Sequence, residues 1–107
     1  MEIEVLYVSE CPAHPAALKL VKDVLAAQGV AADIHEVLVA DEKMAHELQF
    51  VGSPTIRING RDVAEESQER QNFSLSCRLY AGSKYVGLPP VEVIHRAVSE
   101  ARRGGKP

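Results

Sequence analysis

The stretch EIEVLYVSECPAHP, residues 2–15, decides the fold because it joins a strand to a helix through a turn that contains a cysteine. In residues 2–8, apolar residues first alternate with glutamates and then become continuous, which predicts a strand at the centre of a sheet. The turn that follows contains Cys11. Apolar residues at helical spacing come next and end before Gly29, so we predict a helix over residues 12–28.

The later elements follow from local signals of the same kind. The pattern of residues 32–39 predicts a second strand. The helix at residues 12–28 then connects the two strands as a right-handed β-α-β unit, in which the strands are parallel. Asp41 suits the cap of a short helix, and the pair Asn59-Gly60 is typical of a tight hairpin turn. The resulting order is β-α-β-α-β-β-α, in which the last four elements are predicted over residues 42–48, 55–58 and 61–64 and, starting at Pro89-Pro90, to Arg103.

One segment, residues 65–88, is too long for a plain connection and lacks helical periodicity. Apolar residues alternate with polar ones from Phe73 to Leu79, so we expect an extra strand or a hairpin near residues 73–87. Cys77 lies in this alternation. Two interpretations of Cys77 stay open: a buried core thiol, or a second reactive thiol close to Cys11.

The composition is that of an ordinary globular domain, and we predict a single domain over residues 1–107. Hydrophobic residues make up 46% of the chain and charged residues 25%. A net charge of −3 and only five aromatic residues argue against a nucleic-acid partner. Apolar runs are too short to span a membrane, and no secretory signal is visible, so we expect a cytoplasmic protein with reduced thiols.

Cys11 is the first candidate for chemistry. The predicted start of a helix beside it offers free backbone N–H groups and the positive end of the helix dipole, both of which favour a thiolate. Pro12 suits the first helical position because it has no N–H group. His14 lies one helical turn further on and either assists the thiolate, as a stabilising cation or a proton donor, or is a surface residue without a role.

The sequence resembles the thioredoxin and glutaredoxin superfamily over residues 2–103. Three features carry this resemblance: Cys11-Pro12 after the first strand, Ser53-Pro54-Thr55 before the third, and the hairpin followed by a closing helix. The strings GSPTIRINGRDV, residues 52–63, and SCRLY, residues 76–80, look like a small bacterial branch of thioredoxin-like proteins that is often labelled as related to alkylmercury lyase.

The resemblance implies a thioredoxin fold, with a mixed four-stranded sheet flanked by helices. It also implies a cis bond before Pro54 and a substrate site lined by Pro12, Ser53, Pro54 and Thr55. The chain departs from the redox members of the family at one position, since His14 replaces the second cysteine of their Cys-x-x-Cys motif. A dithiol cycle within this motif is therefore excluded, and one cysteine remains.

Three functions follow as hypotheses. In the first, Cys11 exchanges thiols and disulfides with proteins or small molecules, and either Cys77 or glutathione as a co-substrate resolves the product; no resident cofactor is expected. In the second, Cys11 and Cys77 bind a thiophilic metal such as mercury, copper or zinc, with alkylmercury cleavage as the less favoured extension. In the third, the domain binds a partner without catalysis. The oligomeric state is left open.

Overall fold

The computed structural model describes residues 1–64 and 87–104, which form four strands and three helices. The strands make one sheet in the order β2-β1-β3-β4, in which β2 is parallel to β1, β3 is antiparallel to β1, and β4 is antiparallel to β3. The α/β class with a mixed four-stranded sheet and flanking helices is therefore confirmed. The elements are β1 (Glu2–Tyr7), α1 (His14–Gln28), β2 (Asp33–Leu38), α2 (Glu42–Glu47), β3 (Thr55–Ile58), β4 (Arg61–Asp62) and α3 (Val91–Gly104).

Strand β1 is central, as predicted, because both of its faces pack against apolar residues. Ile3 and Val5 belong to a large core that also contains buried residues of α1, α3 and β3. Leu6 points to the opposite face of the sheet, where it packs with Phe50 and with residues of and around α2. The alternation of β1 therefore places α1 and α3 on one face and α2 on the other.

The first helix begins later than predicted. It starts at His14, and Ala13 occupies the N-cap position without a side-chain hydrogen bond. The His14 N–H donates to the carbonyl of Cys11 at 3.3 Å, so residues 11–14 form a tight turn that leads into the helix. The prolines do not distinguish the predicted start at residue 12 from the observed start at His14. Pro12 would fit the first turn of the predicted helix, and Pro15 fits the first turn of the observed one, because the first turn needs no N–H donor. Cys11 therefore lies two residues before the N-cap rather than beside the first helical residue.

The hairpin turn is confirmed, and its second strand is shorter than predicted. Asn59 and Gly60 both have positive φ angles, 52° and 84°, as a type I′ turn requires. Strand β4 ends at Asp62 instead of Ala64. The Val63 N–H still donates to the Ile56 carbonyl at 3.0 Å, and the Asp62 carboxylate then accepts from the Ala64 N–H at 2.8 Å, which forms a local turn at the end of the hairpin. The strand or hairpin expected near residues 73–87 lies outside the described residues, except for Gly87.

Helix α1 contacts the C-terminal part of the chain near both of its ends. At the C-terminal end, the Gln28 amide donates to the His95 carbonyl at 3.0 Å. Its oxygen accepts from Ser99 at 3.3 Å and from Arg102 at 3.1 Å, so one side chain contacts three turns of α3. At the N-terminal end, Ala13 lies against Gly87, just ahead of α3. The two helices therefore run alongside each other in the same direction.

We expect Asp41→Ala to lower the free energy of unfolding by about 1 kcal/mol. Asp41 is the N-cap of α2, and its carboxylate accepts from the Met44 N–H at 2.9 Å, a bond that alanine cannot make. Urea unfolding followed by circular dichroism measures the loss. Asp41→Asn is the control, because asparagine caps equally well; a loss as large as that of alanine would show that the charge, not the hydrogen bond, stabilises α2.

The described residues, 1–64 and 87–104, include no helix that is long and apolar enough to cross a lipid bilayer.

Candidate functional site

Cys11 lies in the tight turn that follows β1, at the edge of the sheet where β1 and β2 end. Its N–H donates to the Val8 carbonyl at 3.3 Å, and its own carbonyl accepts from His14. The residue is partly exposed, and its neighbour Pro12 is exposed. The backbone of the turn is thus held by hydrogen bonds on both sides of Cys11, while the thiol-bearing residue keeps access to solvent.

The loop before β3 lies directly against this turn. The Ser53 hydroxyl accepts from the Val8 N–H at 3.1 Å, and the carbonyl of the same Val8 bonds to Cys11. The Ser53–Pro54 peptide bond is cis, the isomer that the family resemblance implies. Val8 therefore connects the loop to the cysteine turn by two hydrogen bonds.

The side chains of this loop are turned inward. Ser53, Pro54 and Thr55 are all buried, and the Thr55 hydroxyl donates to the Gly52 carbonyl at 2.6 Å. Both hydroxyls are thus engaged with the protein's own backbone and hold the shape of the loop. The expected role of these three residues in substrate binding stays a prediction.

A third segment, at Gly87, meets the turn and the loop. A Cβ atom placed on Gly87 would lie 2.7 Å from the Ala13 Cβ, 3.5 Å from Pro54 Cδ and 3.6 Å from the Ser53 carbonyl oxygen. Its φ angle of 84° also favours glycine. Gly87 therefore allows the chain that leads into α3 to approach the site closely.

The His14 side chain is held by two neighbours. Its Nε2 lies 2.8 Å from a carboxylate oxygen of Glu36 on β2. Its ring stacks on Tyr7 at the end of β1, with the ring centroids 3.8 Å apart and the planes 17° from parallel. The His14 side chain is only 15% exposed. The Nδ1 atom is buried and has no hydrogen-bond partner among the residues that the structure describes.

A protein-family model matches residues 13–97 of the 107-residue chain, and the family is described as a domain of unknown function, DUF2703. The chain belongs to the DUF2703 family. The matched part of this DUF2703 domain contains His14, Glu36, Pro54 and Gly87 and begins two residues after Cys11. Comparisons with curated proteins and with solved structures gave no match.

Sequence reasoning missed Tyr7, Glu36 and Gly87 as parts of the site in this DUF2703 domain. Glu36 carried a signal that was available: Ile34 and Leu38 lie on its face of the strand, so a glutamate interrupts an apolar row. Gly87 carried no such signal, since the need for glycine comes from Ala13, which is distant in the sequence.

The second predicted thiol, Cys77, lies outside the described residues of the DUF2703 domain. The metal site proposed for Cys11 and Cys77 therefore stays a prediction. Within residues 1–64 and 87–104, no three histidine, cysteine, aspartate or glutamate side chains come together as a metal site would require.

Proposed function

We propose that this protein has a thioredoxin-like fold and exchanges thiols and disulfides through Cys11. The sheet order β2-β1-β3-β4, with α1 and α3 on one face and α2 on the other, supports the fold. The single observation that carries the function is the position of Cys11. It lies in the turn between β1 and α1, partly exposed, and is joined through Val8 to the Ser53–Pro54 loop.

The reaction is a pair of exchanges at sulfur. The Cys11 thiolate attacks a disulfide R–S–S–R′, a bond forms between Cys11 and the R sulfur, and R′–S⁻ leaves and takes up a proton. A second thiol, R″–SH, then attacks the mixed disulfide as its thiolate. This step releases R–S–S–R″ and restores Cys11. The co-reactant is a low-molecular-weight thiol of the glutathione class. In the alternative with two thiols, the Cys77 thiolate attacks the Cys11 sulfur and R–S⁻ leaves; two glutathione-class thiols then reduce the Cys11–Cys77 disulfide and are released as their own disulfide.

The surroundings of Cys11 suit this exchange. An attacking thiolate must be accessible to a second sulfur, and Cys11 is partly exposed and lies beside the exposed Pro12. A departing thiolate needs a proton, and His14, which ends the same four-residue turn as Cys11, has an imidazole that can exchange one. The backbone on both sides of Cys11 is hydrogen-bonded, so the turn does not have to be ordered when a substrate arrives.

The test compares wild type with Cys11→Ser, Cys77→Ser and, as a matched control, Ser9→Ala, an exposed neighbour in the sequence. Each protein is incubated with oxidised glutathione, and the products are identified by mass spectrometry. We expect a mixed disulfide on Cys11 in wild type, Cys77→Ser and Ser9→Ala, and none in Cys11→Ser. Turnover of a small disulfide with glutathione should fall to the uncatalysed rate in Cys11→Ser alone.

The same variants distinguish the alternatives. An unmodified Cys11 in the folded protein, with normal alkylation after unfolding, would overturn the proposal and favour a binding domain without catalysis. Protection of both thiols by one equivalent of mercury, copper or zinc would favour the metal site instead. An internal disulfide between Cys11 and Cys77 would select Cys77 as the resolving thiol.

A further inference from the structure

We infer that Glu10, the residue before Cys11, is a specificity-determining residue that favours disulfides with cationic groups near their sulfur atoms. This selectivity rests on the proposed thiol–disulfide exchange and deepens it, because it names the charge class of the substrate. Two observations carry it. Glu10 is exposed and pairs with none of the described residues, and the described segments around Cys11 contain no lysine or arginine.

Glu10 occupies a turn position whose backbone does not favour glutamate. Its φ angle is 61°, in the left-handed region that glycine and asparagine adopt at lower cost. The residue is exposed, and its carboxylate makes no hydrogen bond or ion pair with any residue in the ranges 1–64 and 87–104. These contacts therefore do not explain a glutamate at residue 10. Departures from local sequence rules of this kind are expected at functional positions.

Glu10 is close enough to Cys11 to act on a charged substrate without contacting the thiol. Consecutive Cα atoms are about 3.8 Å apart, so the carboxylate stays within roughly 10 Å of the Cys11 sulfur in any rotamer. This separation is about one Debye length at moderate salt concentration. The field of the Glu10 carboxylate therefore reaches the charged groups of a disulfide that approaches Cys11.

The edge of the sheet at which Cys11 lies carries further negative charge. Strands β1 and β2 are parallel and end together, where the Val39 N–H donates to the Tyr7 carbonyl at 2.8 Å. Three exposed carboxylates are near this edge, one on β2 and two at the start of α2: Glu36, Asp41 and Glu42. Glu10 thus adds to a surface on which the other acidic groups have the same sign.

Lysine and arginine are absent from the described segments that surround Cys11. They occur in none of the ranges 1–18, 23–42, 44–56 and 87–95. Lys19 lies further along α1 and is paired with Asp23 at 2.8 Å, and Lys43 directly follows Glu42. A surface of one charge raises the local concentration of oppositely charged substrates and lowers that of substrates with its own charge. The favoured substrate is therefore a disulfide of the aminothiol class, whose ammonium groups lie close to sulfur.

The charge of Glu10 acts on the encounter with the substrate and not on the bonds that change. As in the proposed exchange, the Cys11 sulfur bonds to one sulfur of the disulfide, and the other half leaves as a thiolate that takes up a proton. Glu10 exchanges no proton in this step. We therefore expect an effect on kcat/KM that salt weakens. Oxidised glutathione, which has a net negative charge, still reacts but belongs to the less favoured class.

The experiment measures kcat/KM for three disulfides of similar size, with glutathione as the common second substrate. They are bis(2-aminoethyl), bis(2-hydroxyethyl) and bis(2-carboxyethyl) disulfide, which are cationic, neutral and anionic. In wild type we expect the ratio of the cationic to the anionic kcat/KM to be roughly 10-fold larger at about 0.01 M salt than at about 1 M salt. Comparison of one ratio at two salt concentrations cancels the intrinsic difference in reactivity between the disulfides.

Three variants test whether the charge at residue 10 causes this preference. Glu10→Gln and Glu10→Lys change that charge, and Glu2→Gln is the matched control. Glu2 is 62% exposed and lies about 17 Å before Tyr7 along β1, so its replacement changes the net charge equally but away from Cys11. A change in the reactivity of Cys11 itself alters both rates equally and cancels in the ratio.

At low salt we expect Glu10→Gln to lower the ratio roughly 2–5-fold, and Glu2→Gln to keep the wild-type ratio. Glu10→Lys should lower the ratio further and raise kcat/KM for the anionic disulfide above the wild-type value. Such a gain cannot come from a misfolded protein.

Wild-type ratios in both Glu10 variants would overturn the role of Glu10, while exchange with all three disulfides would leave the proposed function intact. An equal shift in Glu2→Gln would also overturn it, since the net charge of the protein would then select the substrate. Absence of exchange with every disulfide in wild type would instead overturn the proposed function, and this selectivity with it.

Discussion

The Gly87→Ala variant is expected to lose roughly 2–5 kcal/mol of its free energy of unfolding. Two costs add. Alanine at a φ of 84° is strained by about 1–2 kcal/mol, and its Cβ would lie 2.7 Å from the Ala13 Cβ, which is too close for two carbon atoms. Overpacking of this kind costs about 1–3 kcal/mol. Ser53 and Pro54 also contact the added methyl group, at 3.6 and 3.5 Å, so it cannot easily move away from Ala13.

The two costs can be separated with the double variant Ala13→Gly/Gly87→Ala. Glycine at residue 13 removes the atom that the new methyl group meets, and it suits the N-cap position at least as well as alanine. We therefore expect the double variant to regain the packing cost and keep the backbone cost. Urea unfolding followed by circular dichroism measures both. Equal stability of the single and double variants would show that Ala13 is not the obstacle.

Replacement of Phe50 by alanine should lower the free energy of unfolding by about 3–5 kcal/mol. Phe50 is fully buried in the small core on the α2 face of the sheet. Among the described residues, three others are buried in that core, and partly buried apolar residues surround them: Leu6, Val39 and Ala45, with Val8, Val37, Met44 and Leu48 around them. Loss of the largest buried member leaves a cavity in this small core. The change removes a large part of the 5–15 kcal/mol that a domain usually has.

The control for Phe50→Ala is Leu38→Ala, which also shortens a large apolar side chain. Leu38 is 45% exposed on the edge strand β2, so its loss should change the free energy of unfolding by no more than about 0.5 kcal/mol. Both variants are compared with wild type by urea unfolding. A loss below about 1 kcal/mol in Phe50→Ala would mean that the α2 face contributes little to the stability of the domain.

The elements that the sequence predicts correctly are those whose signals are local. Asp41 caps α2 through a contact three residues away, and Gly29 ends α1 in a left-handed conformation. Asn59-Gly60 needs only its own two φ angles to make the hairpin turn. The start of α1 was predicted less well because Pro12 and Pro15 satisfy the same rule three residues apart, and only the backbone hydrogen bond of His14 decides between them.

The candidate site depends on contacts that local signals do not contain. Cys11 follows from its position before the predicted first helix, whereas Pro54 follows only from a family resemblance. The sequence does not decide between the two interpretations of His14, because the partner of its side chain is on another strand. Glu36 reaches His14 only through the pairing of β2 with β1, and Gly87 is required only by the approach of Ala13. Strand pairing and the close approach of distant segments depend on the whole fold. Residues whose role depends on them, such as Glu36 and Gly87, therefore cannot be recognised from a single segment of the sequence.

Helix α1 contains 15 residues and is therefore about 22 Å long. A helix attached at one point can slide along its axis or pivot, whereas α1 meets the C-terminal segment at Ala13 and again at Gln28. Helix α1 therefore cannot slide or pivot without losing the contact at Ala13 or the one at Gln28. A covalent change at Cys11 would therefore be absorbed by bending of residues 11–14, and the domain behind the turn would keep its shape.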